Sequence, residues 1–152
     1  MAGYGTDDGF QAYADTNGYD VPSGNVTAAR NRGSIYIDGT YGDRFMGLPT
    51  GGLDQERTWP RIGVPGIADN VVPQRVINAS YEAALLELRE PGSLSVVTSG
   101  SARVVREKVG DLEVQYANPG GDALADATPI VTVIEGLLAP LLVKPIPGAL
   151  VV

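Results

Sequence analysis

Residues 73–89 read PQRVINASYEAALLELR, and this stretch decides the fold class. Pro73 suits the first turn of a helix, and Pro91-Gly92 ends it. Apolar residues recur at steps of three and four and predict one buried face: Val76, Ile77, Tyr81, Ala84, Leu85 and Leu88. The opposite face is polar and is predicted to carry Arg75, Asn78, Glu82 and Arg89. We therefore predict a helix over residues 73–89.

Two more helices are predicted on the N-terminal side of this one. Thr6 is a suitable N-cap and Gly18 a suitable stop, so residues 7–17 are predicted to be a short helix. A second helical pattern begins after a turn with Ser23 as candidate cap and ends near Gly39. Its small residues favour close packing against another helix: Ala28, Ala29 and Gly33.

Residues 42–72 form a long segment that is rich in Gly and Pro and has no sustained period. Irregular segments of this length are unusual in a compact domain, and they are often binding loops or segments that order against a partner. Trp59-Pro60-Arg61 lies inside it. Trp59 suits either a plug over the core or an interface hot spot, so Trp59 and Arg61 are candidate interface residues.

The C-terminal half combines a predicted hairpin with an apolar end. Residues 102–116 alternate on both sides of Gly110-Asp111 and predict two strands joined by a tight turn. A helix is predicted to start at Thr128-Pro129 and to kink or end at Pro140, and the chain stays apolar to Val152. This tail either folds into its own core or docks into another subunit. The candidate residues for a partner interface are Leu137, Leu138, Leu141, Leu142, Val143, Ile146 and Leu150.

These elements together predict a mainly α fold. The expected architecture is a small helical bundle with one β-hairpin, a long Gly/Pro-rich loop and an apolar C-terminal arm. Residues 1–128 would form the helical domain, including the loop at 42–72 and the hairpin at 102–116, and residues 129–152 the C-terminal helix and arm.

The composition argues against catalysis. The chain has no Cys and no His, which excludes disulfides, thiolate chemistry and the commonest general base and metal ligand. We expect no enzyme activity, no catalytic or metal site and no cofactor.

The net charge is −7, whereas nucleic-acid binders usually show a basic excess. No secretion signal or membrane span is expected. A small basic cluster is the candidate DNA-facing set, although a solubilising strand face explains it better: Arg103, Arg106 and Lys108.

Several short motifs follow one another in an order and spacing that resemble a known family. They are Tyr4-Gly5-Thr6 with Gly9-Phe10, Ala29 through Tyr36-Ile37-Asp38-Gly39-Thr40-Tyr41, Trp59-Pro60-Arg61, Tyr81-Glu82-Ala83-Ala84, and Lys108-Val109-Gly110 through Tyr116. The family comprises tailed-phage proteins encoded among capsid and tail morphogenesis genes, commonly described as DnaT-like single-stranded-DNA-binding proteins. The last motif also looks like the hairpin of head–tail connector adaptors.

This resemblance implies a structural virion protein at the head–tail junction (the neck), synthesised in the host cytoplasm. It implies a ring of identical subunits, about twelve, in which unlike patches meet head to tail. The implied partners are the portal protein on one side and a stopper or tail-terminator protein on the other. DNA would pass through the channel without sequence-specific binding, and no membrane is involved. The alternative is the function that the family description states, binding of single-stranded DNA.

Overall fold

The computed structural model describes residues 2–98 and 132–144, and this part of the chain is mainly helical. The helices are α1 (Asp7–Asn17), α2 (Val26–Tyr41), α3 (Gln74–Arg89), α4 (Ser93–Thr98) and α5 (residues 132–138). Short 3-10 turns lie at Gly42–Arg44, Gly52–Asp54 and Ala139–Leu141. Two short strands, β1 (Leu48–Pro49) and β2 (Arg61–Ile62), pair antiparallel. A mainly α bundle with one small antiparallel hairpin is confirmed.

Helix α3 lies at the centre because it is apolar on more than one side. Val76, Ala79 and Leu86 join one cluster of buried residues, while Ala84 and Leu85 join a second. Helix α2 crosses α3 closely at Gly33, where an added Cβ would lie 2.6 Å from the Ser80 carbonyl oxygen. Gly33 and the buried Ala29 therefore serve helix packing, as the sequence predicts, whereas Ala28 is exposed.

Helix α1 forms where the sequence predicts it. The Thr6 hydroxyl accepts a hydrogen bond from the Gly9 amide at 2.9 Å, and Gly18 takes a left-handed conformation after the last turn. The helix is tied to α2 because the buried Arg30 guanidinium donates to the Asp7 carboxylate at 2.6 Å. Hydrogen bonds from Thr27 and then from Arg30 hold the pKa of Asp7 below its ordinary value.

Two local predictions are wrong. Helix α2 is capped by Asn25, whose side chain accepts from the Ala28 amide, and not by Ser23. The helix ends at Tyr41, two residues beyond Gly39 and so close to the predicted end, and the buried Tyr41 side chain joins the core. Glu82 does not lie on a polar face. It is buried, and its carboxylate accepts hydrogen bonds from the hydroxyls of Tyr13 at 2.7 Å and Tyr19 at 2.9 Å.

Residues 132–144 pack into the core that α2 and α3 share with the 42–72 segment, through Ile134 and Leu138 of α5 and through Leu142. The predicted hairpin at 102–116 lies outside the described residues, so the small β-sheet of the described part is the pair within the 42–72 segment. The boundary predicted between residues 128 and 129 also lies outside the described residues, and that division stays a prediction.

Candidate assembly surface

A polar cluster at Asp38 fixes the long 42–72 segment to helix α2. One oxygen of the Asp38 carboxylate accepts from the Tyr4 hydroxyl at 2.6 Å and from the Thr58 hydroxyl at 2.8 Å. The other accepts from the buried Arg57 guanidinium at 3.2 Å, and Arg57 also donates to the Asn31 side chain at 2.8 Å. The segment is therefore held in a defined place although it contains little regular structure.

Burial, and after it the negative charge of Asp38, raises the pKa of the Tyr4 hydroxyl. The hydroxyl therefore keeps its proton at neutral pH and donates it to Asp38. The Tyr4 amide donates to the Ser34 hydroxyl at 2.8 Å, so the N-terminal residues, α2 and the segment form one connected network. Such a network favours a structural role, because its polar groups are hydrogen-bonded to one another.

Arg61 is buried and stabilises the inner side of the two-stranded pair. Its guanidinium donates to the carbonyl oxygens of Met46 at 2.8 Å, Gly47 at 2.7 Å and Thr58 at 3.2 Å. Burial lowers its pKa. An arginine remains charged under these conditions, and its planar fork is suited to several carbonyl acceptors. Arg61 thus binds main-chain oxygens of its own segment.

Trp59 covers the core, which is one of the two roles that the sequence predicted for it. Its side chain is 1% exposed, and its ring meets the Phe45 ring edge-on with centroids 5.4 Å apart. As with Arg61, nothing tests the predicted role of Trp59 at a partner interface, and that role stays a prediction. Both side chains are covered by their own chain.

The outer side of the β1–β2 pair is apolar and exposed. Leu48 lies opposite Ile62 and Pro49 opposite Arg61 in the strand register. Cross-strand partners project to the same side, and Arg61 points inward, so Leu48 and Ile62 point outward. Leu48 is 67% and Ile62 40% exposed, and Leu53 in the connecting turn is fully exposed. We call Leu48, Leu53 and Ile62 the exposed loop residues. Sequence reasoning missed them because strands of two residues have no period to detect.

The C-terminal candidate residues fall into three groups. Leu138, Leu141 and Leu142 are buried in the chain's own core, and Leu137 is half-buried against it. Val143 is 60% exposed. Ile146 and Leu150 lie outside the described residues. The described part of the apolar tail therefore folds into its own core, and the predicted partner contact is untested.

Arginine side chains in the described residues are engaged within the chain. Arg30, Arg57 and Arg61 are buried, and each donates hydrogen bonds to acceptors of the same chain. Four others make surface contacts: Arg32 with Glu87, Arg44 with Glu135, Arg75 with the Leu137 carbonyl, and Arg89 over the Tyr19 ring. The described residues hold eight bases and thirteen acids. They do not form the cationic groove that tracks a nucleic-acid backbone. The candidate DNA-facing set, Arg103, Arg106 and Lys108, lies outside them.

Aromatic rings of the described residues are likewise used inside the fold. Seven of the nine are buried, and the remaining two, Tyr13 and Tyr19, are half-buried and donate their hydroxyls to Glu82. Base stacking requires an open ring face beside basic residues. The described residues do not present such a platform.

The described residues offer little for catalysis or metal binding. Within 2–98 and 132–144, no group of three or more acidic side chains is placed to hold a metal ion. An open cleft of about 370 Å³ between α1 and α3 is lined by small residues such as Gly9, by Tyr13, Ile77 and Tyr81, and by the polar side chain of Asn78. No helix in the described ranges is long and apolar enough to span a bilayer. What this part of the surface offers chemically is apolar contact.

Comparison with known families adds one finding. The model of a family described as "Putative DnaT-like ssDNA binding protein" matches residues 3–150. The chain belongs to this family. The description agrees with the alternative function considered from the sequence, and it does so better than with the connector interpretation, which the match does not confirm. No curated protein and no solved structure matches the chain.

Proposed function

We propose that this protein is a structural assembly subunit of a tailed phage, a head–tail connector that forms a ring with copies of itself and contacts the portal. The observation that carries the proposal is the set of exposed loop residues. An apolar surface on a segment fixed by buried polar contacts is typical of a preformed interface, because little entropy is lost when a partner covers it.

The charge distribution supports the same proposal. A connector surrounds a channel through which DNA slides, and an acidic surface with engaged arginines would not retain the phosphate backbone. The proposed location at the head–tail junction follows the sequence resemblance, and the proposed partners are other copies in a ring, the portal and a stopper or tail-terminator protein.

Binding of single-stranded DNA is the second candidate function, and the family description favours it. Its residues would come from Arg103, Arg106 and Lys108, since the described arginines are engaged. These three bases would neutralise about three phosphates, which gives a slope of log K against log salt of about −2 for a single strand.

Fluorescence anisotropy of a labelled thymidine oligomer, titrated with the full chain over a salt series, tests the choice between these functions. The connector proposal predicts no saturable binding at micromolar protein. Tight binding that weakens with salt, and that disappears when the three bases are replaced by glutamine, would overturn it in favour of the second candidate. Replacement of Arg44, Arg75 and Arg89 by glutamine is the control: it changes the charge equally and leaves no buried carboxylate without its arginine.

A further inference from the structure

We propose that copies of this chain exchange residues 132–144, so that this segment of one copy fills the corresponding groove of its neighbour. The inference rests on the proposed assembly function and adds a mechanism for joining subunits. The groove is formed by the C-terminal end of α2 and residues 44–46, together with the core residues beneath them.

The groove has to be filled in every state of the protein. Ile134, Leu138 and Leu142 of the segment are buried against a core that includes Tyr41 and Phe45. If the segment left without replacement, these two aromatic side chains would be exposed to water, which is unfavourable for such large apolar groups. The segment of the same copy or of a second copy is the occupant whose shape and hydrogen bonds match.

The polar contacts of the segment are transferable between copies. Phe45 pairs with Leu142 in an antiparallel bridge, with the Met46 amide donating to the Leu141 carbonyl at 3.0 Å and the Val143 amide to the Arg44 carbonyl at 2.7 Å. These are main-chain contacts that a second copy would reproduce unchanged. The intrachain and exchanged forms then contain the same contacts. They differ mainly in the effective concentration of the segment at the groove and in the path of the chain that leads to it.

The connection to the segment is long enough for exchange. Residues 99–131 separate it from α4, and 33 extended residues span at most about 110 Å. If residues 102–116 form the predicted hairpin, the remaining 18 residues still span about 60 Å. A compact chain of this length has a diameter of about 40 Å. The equivalent groove of an adjacent copy is therefore within reach.

The groove also continues into the proposed interface. Residues 44–46 form one wall of it, and β1 with the exposed Leu48 begins two residues later. A neighbour that covers the exposed loop residues would sit beside the groove, which raises the local concentration of its own segment there. This continuity selects a second copy of the chain as the exchange partner.

A disulfide across the bridge tests the exchange. Arg44 lies opposite Val143 in the register, and both are exposed. Facing residues of an antiparallel pair have Cα atoms about 5.5 Å apart, within the range that a disulfide accepts. The chain has no cysteine, so introduced thiols are the only ones present. Full-length chains carrying Arg44→Cys and Val143→Cys are co-expressed, oxidised and examined by non-reducing electrophoresis and peptide mass spectrometry.

Exchange predicts an interchain disulfide between positions 44 and 143, at least several-fold above the Ile35→Cys and Val143→Cys pair. Ile35 is an exposed apolar residue of α2 and serves as the collision control. The proposal is overturned if no such link exceeds the control while the double variant closes its disulfide within one chain. Light scattering on the unmodified protein separates the two claims. An oligomer without the interchain link contradicts the exchange alone, and the connector proposal would stand.

Discussion

Asp38 shows how single residues hold the irregular segment of this protein. Its carboxylate is shared by Tyr4, Thr58 and Arg57, which come from distant parts of the chain. The Asp38 side chain is 13% exposed and that of Arg57 7%, so the pair has little access to solvent. Removing one member of such a pair lowers the free energy of unfolding by more than the pair contributes to it, because the remaining charge stays buried without a partner.

Asp38→Ala is therefore expected to lower the free energy of unfolding by about 3 kcal/mol, measured by urea denaturation. Asp54→Ala, at an exposed position in the same segment, is the matched control and is expected to change it by less than about 0.5 kcal/mol. Equal effects of the two substitutions would show that the Asp38 cluster does not hold the segment.

At the scale of elements, the sequence predicted what local chemistry determines. Helix α1 has its cap, its acidic first turn and its glycine stop within a few residues, and it begins and ends where predicted. The start of α2 was misplaced by two residues because Ser23 and Asn25 are equally good caps. The buried Glu82 was placed on a polar face because its hydrogen-bond partners, Tyr13 and Tyr19, are more than 60 residues away in sequence.

The candidate surface was less predictable than the helices. The sequence marked the 42–72 segment as unusual and named Trp59 and Arg61, which the structure places on its inner side. The exposed loop residues could be identified only from the strand register. This register depends on the hydrogen bonds of Arg61 and on the close approach of the two strands at Gly47. That glycine has a positive φ of 74° and lies against the Ile62 carbonyl.

Replacing Leu48 and Ile62 together by serine is expected to impair assembly with little effect on folding, because both side chains already face solvent. Circular dichroism should give an unchanged unfolding midpoint, while complementation of a phage that lacks the gene should give at least tenfold fewer infectious particles. Ile35→Ser changes another exposed apolar residue and should complement normally. Normal complementation by the Leu48 and Ile62 variant would contradict the assembly role of this surface.

At the scale of the whole molecule, the described residues combine an excess of acids over bases, arginines engaged within the chain and a fixed apolar loop. These properties favour association with protein over retention of DNA. The family description favours DNA, and the three bases that would serve it lie outside the described residues. The two functions predict different locations after infection: a connector is part of the finished particle, whereas a DNA-binding protein stays in the infected cell.

The measurement that tests the connector proposal most directly is quantitative mass spectrometry of purified, DNA-filled particles from a phage that carries this gene. The connector proposal predicts a fixed low copy number, close to that of the portal protein, counted against the major capsid protein. Absence from the particles while the protein is abundant in infected cells would contradict the proposal and leave DNA binding as the leading function.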